Sequence, residues 1–108
     1  MREKSILLVL SVNTNKSLDW ALRVINSKRA ESTWIIVDEK TMRILAKRNI
    51  VGYVSEKIFV YSGKRPEEFS LRVIALVKPD EVYVCDERGL LEPLIKLIRV
   101  MKIKVYEC

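Results

Sequence analysis

The chain has 108 residues, a formal net charge of +6 and a pI of about 9.5, and this length suits one domain with a single core. Apolar residues make up 49% of the chain and charged residues 31%, which excludes a disordered chain. The longest apolar run, "ILLVL" at 6–10, is far shorter than the ~20 residues of a membrane helix, so we expect no membrane partner.

The first predicted unit is a strand followed by a helix. Residues 4–12, "KSILLVLSV", predict a strand buried on both faces, because the apolar residues are continuous. The polar loop "NTNKS" follows, and Ser17 is the predicted N-cap of a helix over residues 18–28. Asp19 would then lie in the first turn and complement the positive helix end. The predicted buried stripe is Leu18, Ala21, Leu22 and Ile25.

The middle of the chain repeats this alternation. Residues 33–39, "TWIIVDE", predict the second strand, and "KTMRILAKRN" predicts a short basic helix that ends near Asn49. Residues 57–62 predict the third strand. Pro66 suits the first turn of the next helix, which Lys78 and Pro79 end. Its predicted apolar face is Phe69, Val73, Leu76 and Val77.

The last predicted unit completes a parallel sheet. Residues 81–85 predict the fourth strand, and Pro93 places the start of the last helix near Leu91 or Glu92. The final strand, "KIKVYEC", alternates charged residues, which suits a sheet edge. Five strands alternating with helices predict one small three-layer Rossmann-like α/β domain over residues 1–108, with helices on both faces of a mainly parallel sheet. The predicted apolar face of the last helix is Leu94, Leu97, Ile98 and Met101.

The cysteine and histidine content limits the chemistry. The chain has no His, which excludes a Ser-His-Asp triad, and its two cysteines, Cys85 and Cys108, lack the CxxC spacing of a zinc site. We find no targeting segment and expect a cytoplasmic protein, in which a structural disulfide would be unusual. The absence of Gln and the abundance of Lys, Arg, Glu and Ile are typical of proteins from hot environments.

Two loops have the chemistry of a phosphate site. In parallel α/β sheets, ligands bind beyond the carboxyl ends of the strands, where the strand order reverses. The loops after strands one and three each combine small polar residues and cations with a helix N-terminus, and the net charge favours a nucleotide or nucleic acid. Neither loop contains GxxxxGK[ST] or GxGxxG, so ordinary capping loops explain them equally well. The candidate phosphate-binding residues are Asn13, Thr14, Asn15, Lys16, Ser62, Gly63, Lys64 and Arg65.

Acidic residues offer an alternative, catalytic site. Asp38 and Asp86 each follow a buried strand and could together hold Mg²⁺, and with Glu87 they would be the catalytic residues of a nuclease or phosphotransfer enzyme. The competing interpretation is that Asp38 caps a helix and Asp86 caps a turn. A flavodoxin-like strand order, 2-1-3-4-5, would separate the two by about 14 Å, whereas adjacency of strands two and four would allow a shared metal. Outside this alternative we expect no cofactor.

The segment "IIVDEKTMRILAKRNIVGYVSEKIFVYSG" followed by "EVYVCDERG" resembles the Toprim family of topoisomerases, primases and small archaeal nucleases over about residues 34–105. Asp38 stands where that family has its catalytic Glu, and Asp86 matches the first acid of its Asp-x-Asp pair. Glu39 and Arg88 replace the family's Gly and second Asp. The resemblance therefore implies a nucleic-acid enzyme whose catalytic centre is degraded.

Two further segments carry resemblances. "VYVCDERGLLEPLIKLIRVMKIKVYEC" resembles the last unit of PIN and NYN ribonuclease domains, with Asn13 in place of their first acid. "LVKPDEVYVC" looks like the CARF-type Rossmann domains that sense cyclic oligonucleotides. Three hypotheses follow: a non-catalytic module for a phosphate-bearing ligand, an Mg²⁺-dependent nuclease, or a structural subunit that binds a protein partner, for example as a homodimer through the last strand.

Overall fold

A computed structural model describes residues 5–11, 14–27, 32–48, 58–61, 66–86, 89 and 91–108. These residues form five strands and four helices that alternate along the chain. The strands are β1 (Ser5–Ser11), β2 (Ser32–Asp38), β3 (Ile58–Tyr61), β4 (Glu81–Asp86) and β5 (Lys104–Glu107). The helices are α1 (Asn15–Ser27), α2 (Glu39–Lys47), α3 (Pro66–Val77) and α4 (Glu92–Val100).

The five strands form one parallel sheet in the order β3-β2-β1-β4-β5. This confirms the predicted α/β class. The order is neither of the two arrangements considered from the sequence, because β2 and β4 are both neighbours of β1. The strand order reverses between β1 and β4. Within the described ranges, no helix is long and apolar enough to cross a bilayer, which agrees with the short apolar runs.

The central strand, β1, contributes side chains to both hydrophobic cores, one on each face of the sheet. From Ile6 to Leu10, the side chains of β1 are fully buried, because helices cover both faces. Even-numbered side chains of β1 pack with α1 and α2, through residues such as Ala21 and Leu45, on what we call the first face. Odd-numbered ones pack with α3 and α4, through residues such as Ile98, on the second face. The continuous apolar pattern of this strand follows from this double burial.

The helices bury a narrower stripe than the sequence predicted. Leu76 is 74% exposed, Leu97 43% and Met101 49%, so three predicted core positions are wrong. Leu76 and Leu97 lie on the flanks of their helices, and Met101 follows the last residue of α4. Each helix buries only the stripe that faces the sheet. Residues closer to the centre of that stripe, Ile74 and Ile95, are buried instead. Leu22, Phe69 and Val77 are partly buried.

The two cysteines form a disulfide, which corrects the expectation that such a bond would be absent. Cys85 is fully buried in the first-face core, near the end of β4. Cys108 directly follows β5, and the two Cα atoms are 5.0 Å apart. The bond therefore ties the end of the edge strand to its neighbour, and it leaves no free thiol among the described residues.

Candidate anion-binding site at the carboxyl edge of the sheet

The carboxyl ends of three adjacent strands bring the first candidate residues together. Ser11, at the end of β1, pairs with Asp86 at the end of β4. On its other side, the Ser11 hydroxyl donates to Asp38 Oδ2 at the end of β2, over 3.5 Å. These three side chains thus lie at one edge of the sheet, beside the point where the strand order reverses. In open α/β sheets this is where ligands bind.

Helix α1 begins earlier than the sequence predicted, and this changes its first turn. Thr14 fills the N-cap role, because its Oγ1 accepts from the Ser17 N–H at 3.3 Å and its carbonyl accepts from the Leu18 N–H at 3.1 Å. The prediction of Ser17 as the N-cap was wrong. Lys16 therefore lies in the first turn and Asp19 lies beyond it, so the first turn has no acid.

A distant arginine reaches this same helix end. Arg48 Nη2 donates to Asn15 Oδ1 over 2.6 Å, joining residues 33 positions apart. Arg48 follows α2, and its backbone N–H donates to the Ile44 and Leu45 carbonyls. These bonds fix the backbone position from which the Arg48 side chain extends. Sequence reasoning missed Arg48 because it lies outside the strand-end loops. The only signal was the basic end of the second predicted helix.

The electrostatics of the α1 N-terminus suit an anion. The first turn of a helix carries partial positive charge, so a cation placed there is unfavourable by about 0.3–1 kcal/mol. Lys16 and Arg48 both stand at this end. The helix also offers no acceptor for the N–H groups of Asn15 and Lys16. The other three described helices each have a Glu in their first turn.

Asp38 and Asp86 each make a capping bond, as the competing interpretation of these two acids predicts. Asp38 is the N-cap of α2, and its Oδ1 accepts from the Thr41 N–H at 2.7 Å. Asp86 Oδ2 accepts from the Leu91 N–H, also at 2.7 Å, and so closes the turn before α4. Gly89 in that turn has φ +70°, a conformation that favours glycine.

Asp86 also has a second oxygen that the fold leaves unused. Its Oδ1 is buried and has no hydrogen-bond partner among the described residues. Leaving a buried acceptor unpaired costs about 1–3 kcal/mol. The side chain borders a cleft of about 220 Å³ on the second face, between β4, α4 and the end of β5. The cleft is lined by Val84, Asp86, Gly89, Glu92, Ile95, Glu107 and Cys108.

The condition for a metal held by Asp38 and Asp86 is not met. Strand β1 lies between β2 and β4, so the two residues are about 10 Å apart along the sheet. The described residues also contain no group of three His, Cys, Asp or Glu side chains placed to hold a metal ion.

The remaining candidates stay predictions. Thr14, Asn15 and Lys16 lie together at the α1 N-terminus. Strand β2 lies between β1 and β3, so the carboxyl ends of β1 and β3 are two strand spacings apart. The candidates outside the described residues are Asn13, Ser62, Gly63, Lys64, Arg65 and Glu87.

Comparison of the chain with protein-family models, curated proteins and solved structures gave no match. The resemblances to Toprim, PIN, NYN and CARF-type domains therefore stay predictions.

Proposed function

We propose that this chain is a non-catalytic binding module for a phosphate-bearing ligand, a nucleotide or nucleic acid, at the carboxyl edge of the sheet. The observation that carries the proposal is the pair of cations at the positive end of α1: Lys16 in the first turn and Arg48 bonded to Asn15. Without an anion, these charges and the helix dipole oppose one another. A bound phosphate makes each of these interactions favourable, and hydrogen bonds between guanidinium and phosphate are strong because they are charge-assisted.

The loop composition supports contact through side chains rather than a tight backbone cradle. Residues 11–17 contain no glycine, so the backbone lacks the close approach that the glycines of GxGxxG allow. Lys16 is exposed and Arg48 is exposed, and both side chains are long. The proposal therefore favours a phosphate group held at the surface, which suits a nucleotide end or a polynucleotide backbone better than a buried diphosphate.

Fluorescence anisotropy with labelled single- and double-stranded RNA and DNA, at low and moderate salt, tests this function. Arg48→Ala is expected to weaken binding of the double-stranded probes by at least about tenfold, the value of a charge-assisted hydrogen bond. Arg72→Ala is the matched control. It removes the same charge from the exposed surface of α3, where Arg72 has an ion pair with Glu68 at 3.8 Å. Equal effects of the two substitutions would overturn the proposal, and no binding by the parent at low salt would remove nucleic acid as its ligand.

A second candidate is the Mg²⁺-dependent nuclease or phosphotransfer enzyme. The unpartnered Oδ1 of Asp86 favours it, because a carboxylate oxygen with no structural bond is available to a ligand. Repeating the assay with Mg²⁺ or EDTA separates the two functions. A fall in anisotropy that requires Mg²⁺ and that is absent in Asp86→Asn would establish cleavage. If neither nucleic acid nor nucleotide binds, the remaining hypothesis is a structural subunit, which a measurement of the oligomeric state in solution tests.

A further inference from the structure

At the edge of the sheet, Lys104 and Tyr106 of β5 are exposed on the first face. Tyr83 packs against the first-face core, and the strand register places Tyr106 beside it and Lys104 beside Glu81. Side chains directly opposite each other on paired strands share a face. Within the described ranges, α4 is the helix with extensive contacts to β5, and it lies on the second face. Lys104 and Tyr106 are both exposed.

Three aromatic rings form a row across this surface, which we call the aromatic row: Trp20, Tyr83 and Tyr106. The ring centroids of Trp20 and Tyr83 are 6.5 Å apart, and those of Tyr83 and Tyr106 are 4.9 Å apart with planes only 19° from parallel. Glu81, 5% exposed, holds the two tyrosines, because their hydroxyls donate to its Oε1 at 3.3 Å and its Oε2 at 3.4 Å. The tyrosine rings are therefore oriented before any ligand arrives, which lowers the entropy cost of binding.

Two exposed cations, Arg23 and Lys104, lie beside the aromatic row, and the exposed Asp19 lies one turn from Arg23 on α1. Arg23 follows Trp20 by three residues and so lies on the same side of α1, and it is exposed. Lys104 precedes Tyr106 by two residues and so lies on the same face of β5. The carboxylate of this surface, Glu81, is buried and bonded to the tyrosine hydroxyls. The surface thus combines π-faces with cations, in agreement with the net charge of +6.

We propose that the aromatic row is a contact surface for single-stranded nucleic acid, with Arg23 and Lys104 meeting its phosphates. Tyr106, 41% exposed at the outer end of the row, is the ring open to an unpaired base. Aromatic rings stack on bases of any sequence, and flanking cations follow the backbone. A duplex keeps its bases stacked on each other and cannot offer them to the row. Lys16 precedes Trp20 by four residues and so lies one turn away on α1, but Tyr106 and Lys104 are on β5, away from the α1 N-terminus. The Tyr106 and Lys104 variants therefore test this surface separately from the proposed function.

The intrinsic fluorescence of Trp20 gives a direct test. Trp34, the other tryptophan, packs on the second face against Phe59 at 5.8 Å, so Trp34→Phe leaves Trp20 as the sole reporter. We expect saturable quenching of Trp20 when an unlabelled oligo(dT) or oligo(U) is added to this variant, and much less with a duplex of equal length. Inorganic phosphate alone is expected to leave the fluorescence unchanged. Absence of quenching by the single strands would overturn the proposal.

Substitutions in this background locate the contact. Tyr106→Leu keeps an apolar side chain but loses the π-face, so single-strand affinity should fall by about tenfold. Phe59→Leu is the matched control on the second face and should leave affinity unchanged. Lys104→Ala changes an exposed side chain, and should reduce the slope of log K against log salt by about 0.7. Equal effects of Tyr106→Leu and Phe59→Leu, or an unchanged salt slope in Lys104→Ala, would contradict the proposal. Arg48→Ala should leave the quenching of Trp20 intact, even if the substitution abolishes binding at the carboxyl edge.

Discussion

Removing the Cys85–Cys108 disulfide should lower the stability of the fold by a predictable amount. The bond closes a loop between residues 23 positions apart. In the chain-entropy description, closing a loop of this length in the unfolded chain contributes about 3.4 kcal/mol at 25 °C. For a domain of this size, that corresponds to a fall in Tm of roughly 15 °C. Cys108→Ala is the suitable change, because Cys108 is exposed and its replacement leaves no buried cavity, whereas Cys85 is fully buried.

Thermal unfolding followed by circular dichroism measures this effect. The parent without reductant should unfold roughly 15 °C above both the parent with a thiol reductant and Cys108→Ala, as estimated from loop closure. Cys108→Ala itself should not respond to the reductant, which makes it the control. Thiol titration of the denatured parent should find none before reduction and two after it. Two reactive thiols before reduction, or a Cys108→Ala variant as stable as the oxidised parent, would refute the reasoning.

Substitutions at four further positions test the fold and its local contacts by chemical denaturation. Asp38→Ala should lower the free energy of unfolding by about 1 kcal/mol, because the α2 cap is lost, whereas Asp38→Ser should retain most of the cap's contribution. Equal losses of stability in the two variants would argue against capping. Ile98→Ala, at a fully buried position, should cost about 2–5 kcal/mol. Leu97→Ala, one residue earlier and 43% exposed, should cost well under half of that, and a reversed order would contradict the α4 packing. Glu107→Gln should change stability by less than about 1 kcal/mol, because the ion pair with Arg99 is exposed, and any effect should disappear at high salt.

The alternation of strands and helices was predictable from local patterns. The continuous apolar run of β1 indicated burial on both faces, and the structure buries Ile6 to Leu10 completely. Proline fixed two boundaries: Pro66 begins α3, and Pro93 follows the first residue of α4. These signals act within a few residues along the chain, so the sequence carries them directly.

The strand order and the assembled surfaces depend on contacts between distant residues. The position of β1 between β2 and β4 follows from long-range pairing that no local pattern encodes. The Arg48–Asn15 bond and the Cys85–Cys108 bond join separate elements in the same way. The start of α1 was missed for a different reason. Thr14 and Ser17 are both good N-caps, and the sequence offered no ground for choosing between them.

The disulfide is also relevant to the hot environment that the composition of the chain predicts. Disulfides are rare in reducing compartments, but the intracellular proteins of hyperthermophiles are an exception. The abundance of Lys, Arg, Glu and Ile predicted a protein from a hot environment, and the bond is consistent with that prediction. The cytoplasmic location stays a prediction.

The most direct test of the anion site is a ¹H–¹⁵N correlation spectrum recorded during titration with inorganic phosphate and then with a nucleoside monophosphate. The account predicts saturable shifts of the Asn15, Lys16 and Ser17 amides at the α1 N-terminus. The amides of Glu67 and Glu68 provide an internal control, because they begin a helix whose first turn is already acidic. Their shifts should stay small. Equal shifts at both helix ends, or none at residues 15–17, would contradict the proposal that this end of the sheet binds phosphate.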